Sequence, residues 1–219
     1  MATFGDLINR VKRSVRATAG LRVTDDEIKQ AINDAVEHYA ETRFTFNEGD
    51  ADNGLGPTIT TVAGTARYAL PAAVIELDSV QYLHAGNQYH LRLWHWQDYM
   101  RAVSDTSAVQ GSPLYYTIHG QSIHLYPSPD EATTVTLSGL IKLDPTPLAV
   151  LTATNGWTNR GAALIRARAA WDVALNILGN PDLAQTFAAA EQSALSSLTQ
   201  AAQDLLGTGQ AYVPDWECV

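Results

Sequence analysis

The sequence predicts an α+β protein: a helical bundle made from the N- and C-terminal helices, an inserted antiparallel β domain and an extended C-terminal arm. Three observations predict it. Apolar residues recur at helical spacing near both chain ends, alternate as strands do in the middle, and lose all period in the final GTGQAYVPDWECV. The expected boundaries are residues 1–46 with 157–206 for the bundle, 47–156 for the β domain and 207–219 for the arm.

The first helix is expected to start at Thr3 with Asp6 as cap, carry Phe4, Leu7, Ile8, Val11 and Val15 on one stripe, and end at Gly20. Thr24-Asp-Asp-Glu27 is a capping box, in which the threonine oxygen accepts from the third helical amide and the glutamate reaches back. Ile28, Ala31, Ile32, Ala35, Val36 and Tyr39 then form the apolar face of the second helix. From Phe44 to about Pro57 the composition turns polar and glycine-rich, which predicts a loop into the β domain.

Residues 58–143 read as strands: TITTV, RYAL, VIELDSVQYLH, NQYHLRLW, a hairpin and TTVTLSGLIKL. The hairpin lies in PLYYTIHGQSIHLYPSPD. With Gly120-Gln121 as a two-residue turn, Ile118 pairs with Ile123, Tyr116 with Leu125 and His119 with Ser122. Leu114, Tyr116, Ile118, Ile123 and Leu125 then share an apolar face. Tyr115, Thr117, His119, Ser122, His124 and Tyr126 share a face expected to be wet. One helical piece, His95 to about Ser104, interrupts the strands with Trp96, Tyr99, Met100 and Val103 at helical spacing.

After Asp144-Pro145-Thr146-Pro147 helices return. One is expected from Thr158 or Asn159 through Ile177, with Leu164, Ala167, Trp171, Ala174, Leu175 and Leu178 on its stripe. Gly179-Asn180-Pro181 is a stop and restart: glycine past one end, asparagine as cap, proline in the first turn. The last helix, 181–206, carries Leu183, Phe187, Ala190, Ala194, Leu198, Ala201 and Leu205 and contains no lysine or arginine. Its small residues suit close approach of another helix, in the same subunit or the next. The tail holds Tyr212, Val213 and Trp216, which fit either a segment folded back or an arm inserted into a partner.

The chain of 219 residues can bury roughly 70% of its unfolded surface. It has no apolar run long enough to span a membrane, and its N-terminus lacks a secretory pattern, so a soluble protein that is not exported is expected. The single cysteine, Cys218, excludes an internal disulfide and a four-cysteine zinc site. Net charge is −9, yet residues 1–22 carry Arg10, Lys12, Arg13, Arg16 and Arg22 against Asp6 alone. That basic start reads as a solvated face or as a contact with an acidic partner or a neighbouring copy. Nucleic-acid binding as the main function is disfavoured by the acidic balance.

Signatures of catalysis are absent: no phosphate-binding glycine loop, no H-E-x-x-H and no G-x-S-x-G occurs. No enzyme activity, catalytic residue, metal site or cofactor is expected. His119 and His124 are diagonal neighbours without a third ligand, a poor metal site and more plausibly a pH-sensitive or solvated pair. Glu76 and Asp78 share a strand face at about 7 Å, a spacing that most acidic sheets contain. Trp94, Trp96 and Tyr99 form the densest aromatic group, read as core, as subunit or tail interface, or as a ligand platform.

Taken together, the opening TFGDLINRVKRSV, the T-D-D-E-I start and AINDAVEHYA of the second helix, and the hairpin carry a resemblance. The hairpin residues concerned are Pro113, Tyr115, Tyr116, Ile118, Gly120, Ile123, Leu125, Tyr126, Pro127 and Pro129. Over residues 3–205 the chain resembles the head-to-tail adaptor (connector) proteins of tailed bacteriophages, such as tail tubular protein A of short-tailed phages. Tyr115 stands where such proteins often have tryptophan. The resemblance implies a structural virion protein at the head–tail junction, assembled in the host cytoplasm; another tail component (a completion or nozzle protein) and a carbohydrate-binding virion module using Trp94 to Tyr99 are the alternatives. It implies a ring of twelve copies between the portal protein and a downstream tail or nozzle protein, with DNA only as transiting cargo and no membrane. Tyr212, Val213 and Trp216 would dock on the portal; read from the residues rather than from the resemblance, Arg10, Lys12, Arg13, Arg16, Trp94 and Trp96 are candidates for a subunit or tail interface.

Overall fold

The computed structural model describes residues 2–19, 23–50, 53–105, 109–143 and 150–207. It divides into two compact units, one from residues 1–46 and 144–219 and the other from residues 47–143.

The first unit is helical. α1 (Phe4–Ala19) starts at a reciprocal cap, the Asp6 amide donating to Thr3 Oγ1 at 3.1 Å and the Thr3 amide to Asp6 Oδ2 at 3.0 Å. α2 (Asp25–Tyr39) starts at the predicted box, with Thr24 and Glu27 bonded in both directions. Both predicted stripes are buried, from Phe4 to Val15 and from Ile28 to Tyr39. Gly20, the expected end of the first helix, lies outside the described residues.

The stretch predicted as a loop from Phe44 begins differently. Phe44 and Phe46 are buried, stacked at 5.2 Å, and each meets the edge of the fully buried Trp157, at 5.7 and 4.9 Å. Two phenylalanines one residue apart are too short a pattern to establish a strand, yet they anchor the chain. Trp157 sits in α4 (Gly156–Asn159), whose cap is Asn155 with Thr158 as its box partner, not Thr158 or Asn159 as expected. The chain turns at Arg160-Gly161, where a Cβ on Gly161 would lie 2.9 Å from the Trp157 ring. α5 (Ala162–Asp172) follows and passes into a π-helical turn, Val173–Ile177, with the Leu178 amide bonded to the Val173 carbonyl at 3.0 Å. Asn180 Oδ1 accepts from the Leu183 amide at 3.0 Å, the predicted restart, and opens α6 (Pro181–Gly207), about 40 Å long. α5 packs on α1, α2 and α6.

The second unit holds two sheets. One pairs β1 (Glu48–Gly49), β9 (Thr134–Ile141), β4 (Val74–His84) and β5 (Asn87–His90) in that order, with β2 (Thr58–Thr60) also on β9. The other runs β3 (Arg67–Ala69), β8 (Ser122–Tyr126), β7 (Tyr115–His119) and β6 (Arg92–Leu93). The hairpin has the predicted register, and Gly120 and Gln121 take φ of 55° and 56°, as a type I′ turn needs. Its apolar residues Tyr116, Ile123 and Leu125 pack with Val80 and Tyr82 of β4 and Val135 and Leu137 of β9. Leu114 and Ile118, expected on that face, are exposed.

Two strand expectations need correction. The sheets are not wholly antiparallel: Arg92 and Leu93 pair parallel with Tyr115 and Tyr116. Parallel neighbours need a crossover, and α3 (Trp96–Asp105) lies within it. That crossover lays α3 over the hairpin face expected to be wet, so Thr117, Ser122 and His124 are buried. In the other sheet β4 bulges against β9 at Val74/Glu76 and Leu77/Ser79. Gly139 sits opposite at φ 156°, where a Cβ would fall 2.1 Å from the Glu76 carbonyl oxygen.

Candidate functional site

The aromatic residues singled out in the sequence cover one face of the hairpin. Trp94 stacks on Tyr115 at 4.3 Å and leans on Tyr126 at 5.4 Å. Trp96 stacks on His119 at 4.1 Å, and Trp96 and Tyr99 both turn edges to His124, at 5.1 and 5.3 Å. Burial, then the charge of Arg67 and the neighbouring His119, hold the His124 imidazole below its ordinary 6.5. It is therefore not the solvated partner of His119 that strand alternation alone suggested; a covered imidazole favours its neutral form. The stacked faces of Trp94 and Trp96 are spent on packing within the unit. Among the described residues no group of three histidine, cysteine, aspartate or glutamate side chains is placed to hold a metal ion.

The basic N-terminal residues do not act as a block. Lys12 is ion-paired to Asp25 at the start of α2, so it ties two helices of its own unit. The Arg13 guanidinium donates to the Asn9 carbonyl at 3.3 Å, while Arg10 is exposed. The side chain of Arg16, and all of Tyr212, Val213 and Trp216, lie outside the described residues.

A polar cluster that the sequence reading missed joins three helices. Tyr39 of α2 donates to Glu191 of α6, and Arg168 of α5 reaches the same carboxylate oxygen at 3.5 Å. The Arg168 guanidinium lies 4.4 Å over the Trp171 ring. Burial and the Glu191 carboxylate together push the Tyr39 phenol well above its ordinary range. One signal was available: between Phe187 and Gln203 the only charged residue is Glu191. A lone acid in an otherwise uncharged stretch of helix is more often paired inside than solvated.

The same composition marks α6 as a surface. Its covered edge runs through Ala184, Phe187, Ala188, Glu191, Leu195 and Leu198, while predicted stripe members Ala190 and Ala201 are exposed. Between α5 and α6 lies a groove of about 420 Å³, walled by Ala190, Ser193, Ala194, Ser197 and Leu198, with Arg160 and Arg166 on its α5 side. The α6 wall lacks charge and arginine lies at the margin, as at an interface, while its alanines and serines supply room for close approach rather than contact area. In the β unit, Leu93, Leu114, Met100 and Val103 are exposed apolar residues at β6, the start of β7 and the outer side of α3.

No described helix is long and apolar enough to cross a membrane. No curated protein matches the chain. A family model described as SU10 adaptor protein matches residues 2–213, spanning the helices of both chain ends and the β unit between them. The chain belongs to the SU10 adaptor protein family, a family of structural phage proteins.

Proposed function

We propose that the protein is a head-to-tail adaptor that assembles as a ring of twelve copies between the portal and the tail, with DNA passing through the middle. The observation that carries this reading is the extent of the family match, which covers both compact units and continues into the C-terminal segment. The helical residues 1–46 and 157–206 act as a ring-building bundle, and the β unit inserted into it is residues 47–143, shorter than the 47–156 expected because Leu151 and Ala153 bond to the start of α1. The β domain meets neighbours and the downstream tail or nozzle protein, using the exposed apolar residues beside Trp94 and Trp96. Of the basic residues of α1, Arg10, Arg13 and Arg16 belong to a subunit or tail contact, while Lys12 is already paired with Asp25 of its own unit.

The arm, residues 207–219, docks on the portal through Tyr212, Val213 and Trp216, since rigid aromatic anchors supply much of the energy of such contacts. The acidic balance of −9 suits a conduit that must not retain DNA. The virion's head–tail junction is the place of action, reached after assembly in the host cytoplasm. Deleting residues 207–219 is expected to abolish capture by purified portal while the thermal unfolding of the two units is unchanged. Full-strength capture of the truncated protein overturns the arm assignment.

A further inference from the structure

We propose that the groove between α5 and α6 receives the acidic outer face of α2 from a second copy of the chain. The inference rests on the ring reading above and names the two surfaces that would build it. Ala190, Ser193 and Ser197 are exposed small side chains, so a helix backbone can approach the groove closely. Arg160 and Arg166 are both exposed, and neither is ion-paired among the described residues. Arg160 makes only a 3.4 Å hydrogen bond to the Thr45 hydroxyl.

The complementary charge lies on the same chain but on another face. α2 buries Ile28, Ala31, Ile32, Ala35, Val36 and Tyr39, so the opposite side of the helix is presented outward. There Asp34 and Glu37 are exposed and not ion-paired among the described residues; Asp34 is held only by the Gln30 amide at 2.8 Å. A chain cannot seat its own α2 in this way, because the buried side of that helix already packs on α5. Two different patches that fit each other make a head-to-tail contact, and such contacts form a ring where the rotation between copies closes. An isologous patch alone would stop at a dimer.

The experiment uses two charge-reversed full-length variants, R160E/R166E and D34K/E37K. Self-association is read by native mass spectrometry and sedimentation, alone and on purified portal, with circular dichroism to verify folding. Each variant alone is expected to associate at least about tenfold more weakly than wild type. An equimolar mixture is expected to restore association. The reversed groove then accepts the reversed α2, the two unaltered surfaces still match, and copies alternate around an even-numbered ring.

A folded variant that associates like wild type overturns the assignment of surfaces and leaves the ring reading standing. So does a mixture that stays dissociated. Loss in R160E/R166E with full association of D34K/E37K overturns it as well, and points to another acidic occupant such as the tail bearing Asp215 and Glu217. A wild-type chain that never associates, with or without portal, overturns the ring reading itself.

Discussion

The phenol of Tyr39 donates to the carboxylate of Glu191, joining side chains 152 residues apart in the sequence. The bond closes a seam across α2, α5 and α6, because Arg168 reaches the same carboxylate and rests on Trp171. Removing one member of a buried polar group costs more than the bond alone is worth, since its partners stay behind without water.

Tyr39→Phe is therefore expected to cost about 1 kcal/mol, and Glu191→Ala about 2–3 kcal/mol because both Tyr39 and Arg168 lose their acceptor. The double variant should cost less than the sum of the two, as coupled residues do. Urea unfolding followed by circular dichroism measures all three; strict additivity would contradict the seam.

The imidazole of His124 is expected to give the β unit a pH dependence whose sign follows from its burial. Its folded pKa is held below 6.5 by burial, by Arg67 and by His119, so below 6.5 the unfolded chain binds more protons than the folded one. The stabilisation is fully present above about 6.5 and is lost as pH falls from there towards the folded value. His124→Gln should flatten this part of the melting-temperature profile between pH 7 and pH 5. An unchanged slope in the variant would place the titration elsewhere.

Glycines of this unit should differ sharply in their tolerance of a methyl group. Gly139→Ala forces a contact with the Glu76 carbonyl and is expected to cost about 3 kcal/mol or more. Gly86→Ala meets open space and carries only the strain of φ 80°, about 1 kcal/mol. Equal melting temperatures for the two variants would argue against the bulge geometry.

Trp157→Ala is expected to cost about 3–5 kcal/mol and to loosen Phe44 and Phe46 together. Trp94→Ala, at a half-buried ring stacked on one tyrosine face, should cost well under half as much. Thermal unfolding of the two variants tests this ranking directly.

Local rules made much of the structure legible. Thr3 with Asp6, Thr24 with Glu27 and Asn180 with Leu183 are contacts between residues three apart, and the 120–121 turn needs only its own two residues. What stayed hidden depends on residues far apart. Phe44 and Phe46 look like loop residues until Trp157 arrives against both, and the hairpin's polar face looks wet until a parallel crossover brings α3 across it. The surfaces proposed for interaction were legible only in part. The missing positive charge of the last helix was visible in its composition, whereas the groove needed the position of Arg160 and Arg166 beside it.

Because the helical unit draws on both ends of the chain, its synthesis imposes a wait. α2 leaves the ribosome about 120 residues before α5, the helix on which its apolar stripe packs. At 5–20 residues per second that interval is roughly 10 s, far longer than a helix or hairpin needs to form. During it the α1–α2 pair has its caps and the Lys12–Asp25 pair, but not its main apolar partner. The stripe from Ile28 to Tyr39 is then the surface most open to chaperones, and to premature contact with other nascent copies.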